Sequence, residues 1–161
     1  MVENCFYIIK DEFFNKFEEK GSIFKYNKNA SRPTYCCFED KLYKGLYWAV
    51  PTGTLKTKNI DRIECFMSCT SDIRGSYYHI GYTNQKAIFY ISSAFPITDK
   101  YIERAYTVQN KPLELKRQAM IKEIKGKLLK ILSYENHNPN HLETHITDIR
   151  TVLIEELADN K

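Results

Sequence analysis

The sequence has 161 residues, enough for one domain with its own core, and its 43% hydrophobic and 27% charged residues exclude a disordered chain. It has no apolar run of the roughly 18 residues that a membrane-spanning helix needs and no secretory leader pattern, so we expect a cytoplasmic protein. The net charge is +4, but residues 1–133 hold 22 Lys and Arg against 14 Asp and Glu, which indicates a phosphate-rich partner.

The N-terminal region predicts a strand followed by a short helix. Residues 5–9 form an apolar run, and Asp11 is placed to cap a helix that ends near Gly21. The inward face of this helix would carry three phenylalanines, Phe13, Phe14 and Phe17. A loop with a basic bias covers residues 20–32.

Apolar runs separated by turns predict an antiparallel sheet in the middle of the chain. Residues 34–38 and 45–50 would form one hairpin, and residues 77–82 and 87–91 a second. Apolar residues at helical spacing predict a helix over residues 59–69, with Asn59 as its cap. Residues 92–107 are expected to be irregular with one strand.

The C-terminal third is predicted to be helical. One helix would start at Pro112, because proline is tolerated in the first turn, and would run to about Tyr134. A last helix would open at Pro139. The whole chain is predicted to be a single α+β domain, 1–161, in which helices surround a curved antiparallel sheet.

Residues 51–58, Pro-Thr-Gly-Thr-Leu-Lys-Thr-Lys, are predicted to form an anion-binding loop after the strand of residues 45–50. Proline stiffens this loop and glycine allows close backbone approach to a ligand. The pairing of strands 34–38 and 45–50 would bring Arg32 close to Thr52. A guanidinium, hydroxyls and the ammonium of Lys56 or Lys58 suit a phosphate group, although solvated charges at a sheet edge are the alternative.

Histidines offer further candidates. His79 lies in a predicted strand and is either a proton-transfer group or a hydrogen-bonded core or surface residue. His141 and His145 would share a helical face, but without a nearby carboxylate or thiolate they form an incomplete metal site, so we expect neither a metal nor another cofactor. The predicted basic helix and the residues at its start would either bind an RNA backbone or form a solvated face, and the candidate contacts are Lys116, Arg117, Lys122 and Lys125.

Three strings of residues resemble a known family. They are Gly-Leu-Tyr-Trp-Ala-Val-Pro at 45–51, Tyr-Tyr-His-Ile-Gly-Tyr-Thr-Asn at 77–84 and Ala-Phe-Pro-Ile-Thr-Asp-Lys-Tyr-Ile at 94–102. With a basic residue and proline before one strand and Pro-Thr with lysines after the next, they are similar to toxins of type III toxin–antitoxin systems. The CptN-type branch is closest, and the ToxN and AbiQ branches are more distant.

This resemblance implies a small endoribonuclease with a highly curved, partly open barrel. Such toxins cut RNA without a metal, through attack of the ribose 2′-hydroxyl, and leave a 2′,3′-cyclic phosphate and a 5′-hydroxyl. The partners would be cellular RNA substrates and a small repeated antitoxin RNA, which the toxin processes and which inhibits it in a toxin–RNA assembly. The implied roles are maintenance of a genetic locus and defence against phage.

The resemblance also assigns residues by position. Arg32 would hold the scissile phosphate, and Thr52 matches the hydroxyl after the proline. Where the family often has a serine, this chain has Gly53, so Thr54 would supply the second hydroxyl. The lysine is displaced as well, which leaves Lys56 and Lys58 as alternatives for the catalytic cation. Two loop positions match an RNA-binding tyrosine or lysine of the family, Tyr26 and Lys28.

The main rival interpretation is a non-catalytic RNA-binding protein that sequesters RNA in the same basic groove. Both interpretations predict salt-sensitive RNA binding, so only cleavage distinguishes them. A small-molecule enzyme is a remote third interpretation, because the sequence has no recognisable cofactor loop.

Overall fold

A seven-stranded sheet is the central element of the computed structural model, which describes residues 1–21, 24 and 32–159. The strand order is β4-β5-β3-β2-β1-β7. Strand β6 lies off this path and pairs with the first part of β3, from Leu46 to Ala49. Each of these pairings is antiparallel. The strands are β1 (Phe6–Ile9), β2 (Thr34–Glu39), β3 (Leu46–Thr54), β4 (Tyr78–Tyr82), β5 (Lys86–Tyr90), β6 (Phe95–Thr98) and β7 (Ile102–Ala105).

Helices accompany this sheet, so the predicted α+β class is confirmed. They are α1 (Asp11–Lys16), α2 (Ile60–Ser68), α3 (Gln118–His137) and the C-terminal α4 (Ile146–Asp159). Within the described residues, β4 and β7 are the ends of the strand order and do not pair with each other, so the sheet is not closed. None of the described helices combines the length and apolar composition that crossing a bilayer requires.

The two faces of the sheet are covered by different helices. One face packs against α3, where Met120, Ile124 and Leu128 are buried in the same cluster as Phe6 and Phe89. The other face packs against α1 and α4, with Phe13 at the centre of a group of aromatic rings. As predicted, Phe13, Phe14 and Phe17 are buried, although Asp11 lies in the first turn of α1 and Lys10 is the N-cap residue.

Strand β3 does not stop at the proline, which corrects the predicted loop over residues 51–58. Pro51 lies inside β3 and pairs with Thr34, and the strand continues to Thr54. Proline cannot donate to a ladder and is normally confined to sheet edges. It is tolerated here because β3 pairs with β6 up to Ala49 and with β5 only from Thr52, so Pro51 lies where the strand changes partner.

The predicted helix start at Pro112 is wrong. Lys111–Pro112 is a two-residue strand, β9, which pairs with β8 (Thr107–Val108). Gln109 and Asn110 between them have φ of 50° and 61°, the conformation of a tight hairpin turn. The chain then lies beside the N-terminus, where the Phe6 amide donates to the Leu113 carbonyl.

Other predicted boundaries also differ from those in the structure. The last helix begins at Ile146 and not at Pro139, so His141 and His145 do not share a helical face. Residues 92–107, predicted as irregular with one strand, contain β6 and β7. The two predicted hairpins are confirmed as β2–β3 and β4–β5.

Candidate functional site

A cavity of about 780 Å³ lies at the C-terminal end of β3. Its described lining includes the residue before β2, the end of β3, the turn between β4 and β5, and the end of β5. The members on which the following argument depends are Arg32, Pro33, Thr52, Gly53, Thr54 and Lys56. The predicted proximity of Arg32 and Thr52 is therefore found in the structure.

Thr52 connects the two strands that enter the cavity. Its hydroxyl donates a hydrogen bond to the carbonyl oxygen of Pro33, and its side chain is buried. This bond fixes the backbone directly after Arg32, whose side chain remains exposed. The Thr52 hydroxyl proton is therefore used to link β3 to the residue that follows Arg32, and the predicted role of Thr52 at the phosphate stays a prediction.

The β4–β5 turn forms a polar wall of the same cavity. The Gln85 side-chain amide donates to the hydroxyl of Thr54 at 3.2 Å, and Thr83 and Asn84 also line the space. Thr54 is exposed, so its hydroxyl is accessible as expected for a ligand-binding group. The turn belongs to this site because β5 pairs with residues Thr52 to Thr54 of β3.

Tyr90 lines the cavity, and no pattern in the sequence singled it out. Its ring covers the backbone at Gly53, where a Cβ would lie 3.2 Å from Cε2 and 3.4 Å from the hydroxyl of Tyr90. Burial raises the pKa of Tyr90, while the nearby Arg32 charge acts in the opposite direction. The phenol is therefore protonated at neutral pH and can donate a hydrogen bond into the cavity. Only the pairing of β5 with β3 in the structure brings Tyr90 to this cavity.

Positive charge predominates in the described lining of the cavity. Arg32 and Lys56 both line it, and neither forms an ion pair with another described residue. Glu143 is the only acidic residue among the described lining residues. Lys58 is exposed and is not among them. Geometry therefore favours Lys56 over Lys58 as the cation that faces a ligand.

His79 lies outside the described lining of this cavity. It pairs with Phe89, which pairs with Thr52, so its Cα is two strand spacings, about 10 Å, from that of Thr52. Its side chain is buried below α3. Nδ1 lies 3.5 Å from the Glu123 carboxylate but has no hydrogen-bond partner among the described residues. Burial, followed by the Lys127 charge, lowers the pKa of His79, and Arg117 adds to this while Glu123 opposes it.

The predicted RNA-contact residues are distributed over several surfaces. Lys116 and Arg117 precede α3 and are exposed, as is Lys122 within it. Lys125 is half-buried, with its ammonium 5.1 Å from the centroid of the Phe38 ring. The candidate loop residues Tyr26 and Lys28 lie outside the described residues. In the described part of the chain no group of three or more metal-binding side chains occurs.

Comparison with known proteins does not assign this chain to a family. No protein-family model matches it, and no curated protein matches it either. The function is therefore inferred from the geometry of the cavity and from the three strings of residues that resemble the type III toxins.

Replacing Thr52 by valine should destabilise the fold, because the partly buried Pro33 carbonyl would lose its donor. We expect a loss of about 1 kcal/mol in the free energy of unfolding, measured by urea titration at pH 7. Thr52→Ser should recover most of this loss, since it keeps the hydroxyl. The matched control is Thr54→Val, which removes an exposed hydroxyl. Equal losses in Thr52→Val and Thr54→Val would show that the Pro33 bond has no special importance.

His79 should make stability depend on pH. Because its pKa is lowered in the fold, the unfolded chain binds a proton first as the pH falls through the ordinary value of 6.5. The free energy of unfolding should therefore fall between pH 7.5 and pH 5, and fall less in His79→Gln. His137→Gln, which changes an exposed imidazole, should behave like wild type. Identical pH profiles for wild type and His79→Gln would contradict this prediction.

Proposed function

We propose that this protein is an endoribonuclease toxin of the type III toxin–antitoxin kind, which cleaves RNA without a metal. The observation that carries the proposal is the convergence on one cavity of a guanidinium and an ammonium that form no ion pair with another described residue, together with two hydroxyls that line the same space. These groups come from Arg32, Lys56, Thr54 and Tyr90. Their chemistry suits a phosphodiester, because all of them can donate hydrogen bonds to phosphate oxygens.

In the proposed reaction the ribose 2′-oxygen forms a bond to the adjacent phosphorus, and the bond from phosphorus to the 5′-oxygen breaks. Negative charge grows on the non-bridging oxygens in the phosphorane transition state, where fixed donors are most effective. Arg32 would bind two of these oxygens, and the Tyr90 phenol would donate to one. The 2′-hydroxyl passes its proton to water, and the 5′-oxygen gains one from a donor that water then reprotonates. Lys56 is the cavity cation that could supply the second proton.

The proposal includes the partners and setting that the resemblance implies. These are a small repeated antitoxin RNA that the protein processes and is inhibited by, cellular RNA substrates, and action in the cytoplasm. A barrel-like curvature of the open sheet remains part of the same proposal. Lys116, Arg117, Lys122 and Lys125 would contact the RNA backbone outside the cavity.

A non-catalytic RNA-binding protein is the second candidate. It is favoured by one observation: the described lining of the cavity contains no histidine, and His79 lies below α3 instead. Such a protein would use Arg32 and Lys56 only to hold phosphate groups. The two candidates differ in whether bound RNA is cut.

Purified protein incubated with mixed cellular RNA in EDTA should therefore produce fragments that end in a cyclic phosphate and begin with a 5′-hydroxyl. The ends can be identified by enzymatic labelling, because a 5′-hydroxyl accepts phosphate from a kinase without prior dephosphorylation. Arg32→Ala serves as the inactive control for a contaminating nuclease. Bound but intact RNA would select the non-catalytic candidate, and cutting that requires a divalent cation would contradict the metal-independent mechanism.

The two lysines that follow β3 provide a matched pair of variants. Lys56→Ala should lower the cleavage rate by about 100-fold, as expected for loss of a group acting on the transition state. Lys58→Ala should change it less than threefold, because Lys58 is exposed and outside the described cavity lining. Initial rates on one RNA substrate measure both. A larger loss of cleavage rate in Lys58→Ala than in Lys56→Ala would instead identify Lys58 as the catalytic cation.

A further inference from the structure

A second cavity, of about 800 Å³, lies between the α2–β4 connection and the C-terminal half of α3. Tyr77 lines it from the connection, and Lys130 and Tyr134 line it from the helix. His137 and His141 complete this side. The volume falls in the range of small-ligand sites in proteins. None of the groups assigned to the first cavity lies here.

Aromatic rings form the walls of the second cavity. The rings of Tyr134 and His141 lie 5.1 Å apart at 68°. Tyr77 is supported from behind by Phe66 at 5.9 Å, and burial raises the pKa of Tyr77, so its phenol is protonated at neutral pH. Flat rings held by neighbours in this way are suited to stacking against a planar ligand such as a nucleobase.

Hydrogen-bond donors and a cation accompany these rings. Lys130 is exposed and forms no ion pair with a described residue. Nδ1 of His137 lies 2.8 Å from the Ser133 carbonyl, so it carries the proton of that hydrogen bond and leaves Nε2 for a ligand. Arg74 also lines the cavity but is held by Asp72, with Nε 2.9 Å from Oδ2. A planar group that carries a phosphate matches this set.

The route from the first cavity to the second runs along β4 and one side of α3. The β4–β5 turn lines the first cavity, and next to it Gly81 contacts Met120 so closely that any Cβ there would overlap it. At the other end of β4 the ammonium of Lys127 donates to the Tyr78 carbonyl at 2.8 Å. From Met120 to Tyr134 the helix rises by about 21 Å, a distance that a short stretch of extended RNA can cover.

Charge along this flank is mainly positive. Arg117, Lys127 and Lys130 occur on it in that order, and Glu123 is the carboxylate among them. A strand of RNA that leaves the first cavity along β4 would therefore meet Arg117 just before α3 and then Lys127 and Lys130 one after the other on the helix, with Glu123 between Arg117 and Lys127. The same direction leads to the aromatic rings of the second cavity.

We propose that the second cavity binds one nucleotide of a single-stranded RNA whose scissile phosphate lies in the first cavity. The base stacks on Tyr134 or His141, and the phosphate pairs with Lys130. This inference rests on the proposed function for the identity of the ligand. It goes beyond that function because it assigns a binding subsite about 20 Å along α3 from Met120, the residue that contacts β4 next to the first cavity.

The test uses a fluorescent 12-nucleotide RNA of randomised sequence with 2′-O-methyl groups, which cannot undergo attack by the 2′-oxygen. Tyr134→Ala and Lys130→Gln should each weaken its binding about tenfold, as expected for loss of a stacked base or a phosphate contact. Lys44→Gln is the matched control: it removes an exposed lysine from the β2–β3 turn, at the opposite end of β3 from the first cavity. Fluorescence anisotropy at one salt concentration measures all four proteins.

Histidine ring signals in NMR spectra provide a local readout that does not depend on cleavage. On addition of the same RNA the signals of His137 and His141, assigned from their glutamine variants, should shift, while that of His145 should not. Unchanged affinity in both variants, with unmoved signals although RNA binds, would overturn the second subsite and leave the endoribonuclease proposal intact. Shifted signals without cleavage of unmodified RNA would support the subsite and contradict catalysis. Absence of any RNA binding would overturn both.

Discussion

Strand β3 changes its partner at Pro51, and the position of the candidate site depends on this change. Before the proline the strand pairs with β6, and after it with β5. The change brings the β4–β5 hairpin against the end of β3, so that Gln85 and Tyr90 reach the same cavity as Thr54. A residue with a free amide at this point would favour continued pairing on one side, whereas proline has no donor to contribute.

The same arrangement separates two kinds of polar group. Arg32 and Lys56 are exposed side chains that line the first cavity. His79 and Lys127 are partly or fully buried beneath or beside α3, and burial lowers the pKa of both. The first group is suited to binding an anion. The second group connects β4 to α3, with the Tyr78 carbonyl as the acceptor for Lys127.

Sequence patterns predicted the elements well where the chain forms local structure. The two hairpins and the apolar face of α1 follow from alternation and helical spacing within fewer than 20 residues, and the structure confirms them. Failures occurred where distant segments compete for the same residues. Pro112 was a plausible helix start, but residues 113–115 hydrogen-bond to the N-terminal strand region instead. That pairing leaves no local periodicity, because it depends on residues about 110 positions earlier.

The sequence by itself determined the α+β class and the proximity of Arg32 to Thr52, because both lie at adjoining ends of one hairpin. Only the tertiary structure decided which further groups face the cavity. Tyr90 lines the cavity and Lys58 does not, although the local sequence pattern would allow either residue to face it. The tertiary structure also tied the Thr52 hydroxyl to Pro33 and placed His79 under α3. The physical reason is that hydrophobic periodicity fixes which face of an element is buried, whereas the packing of distant elements fixes which polar groups meet.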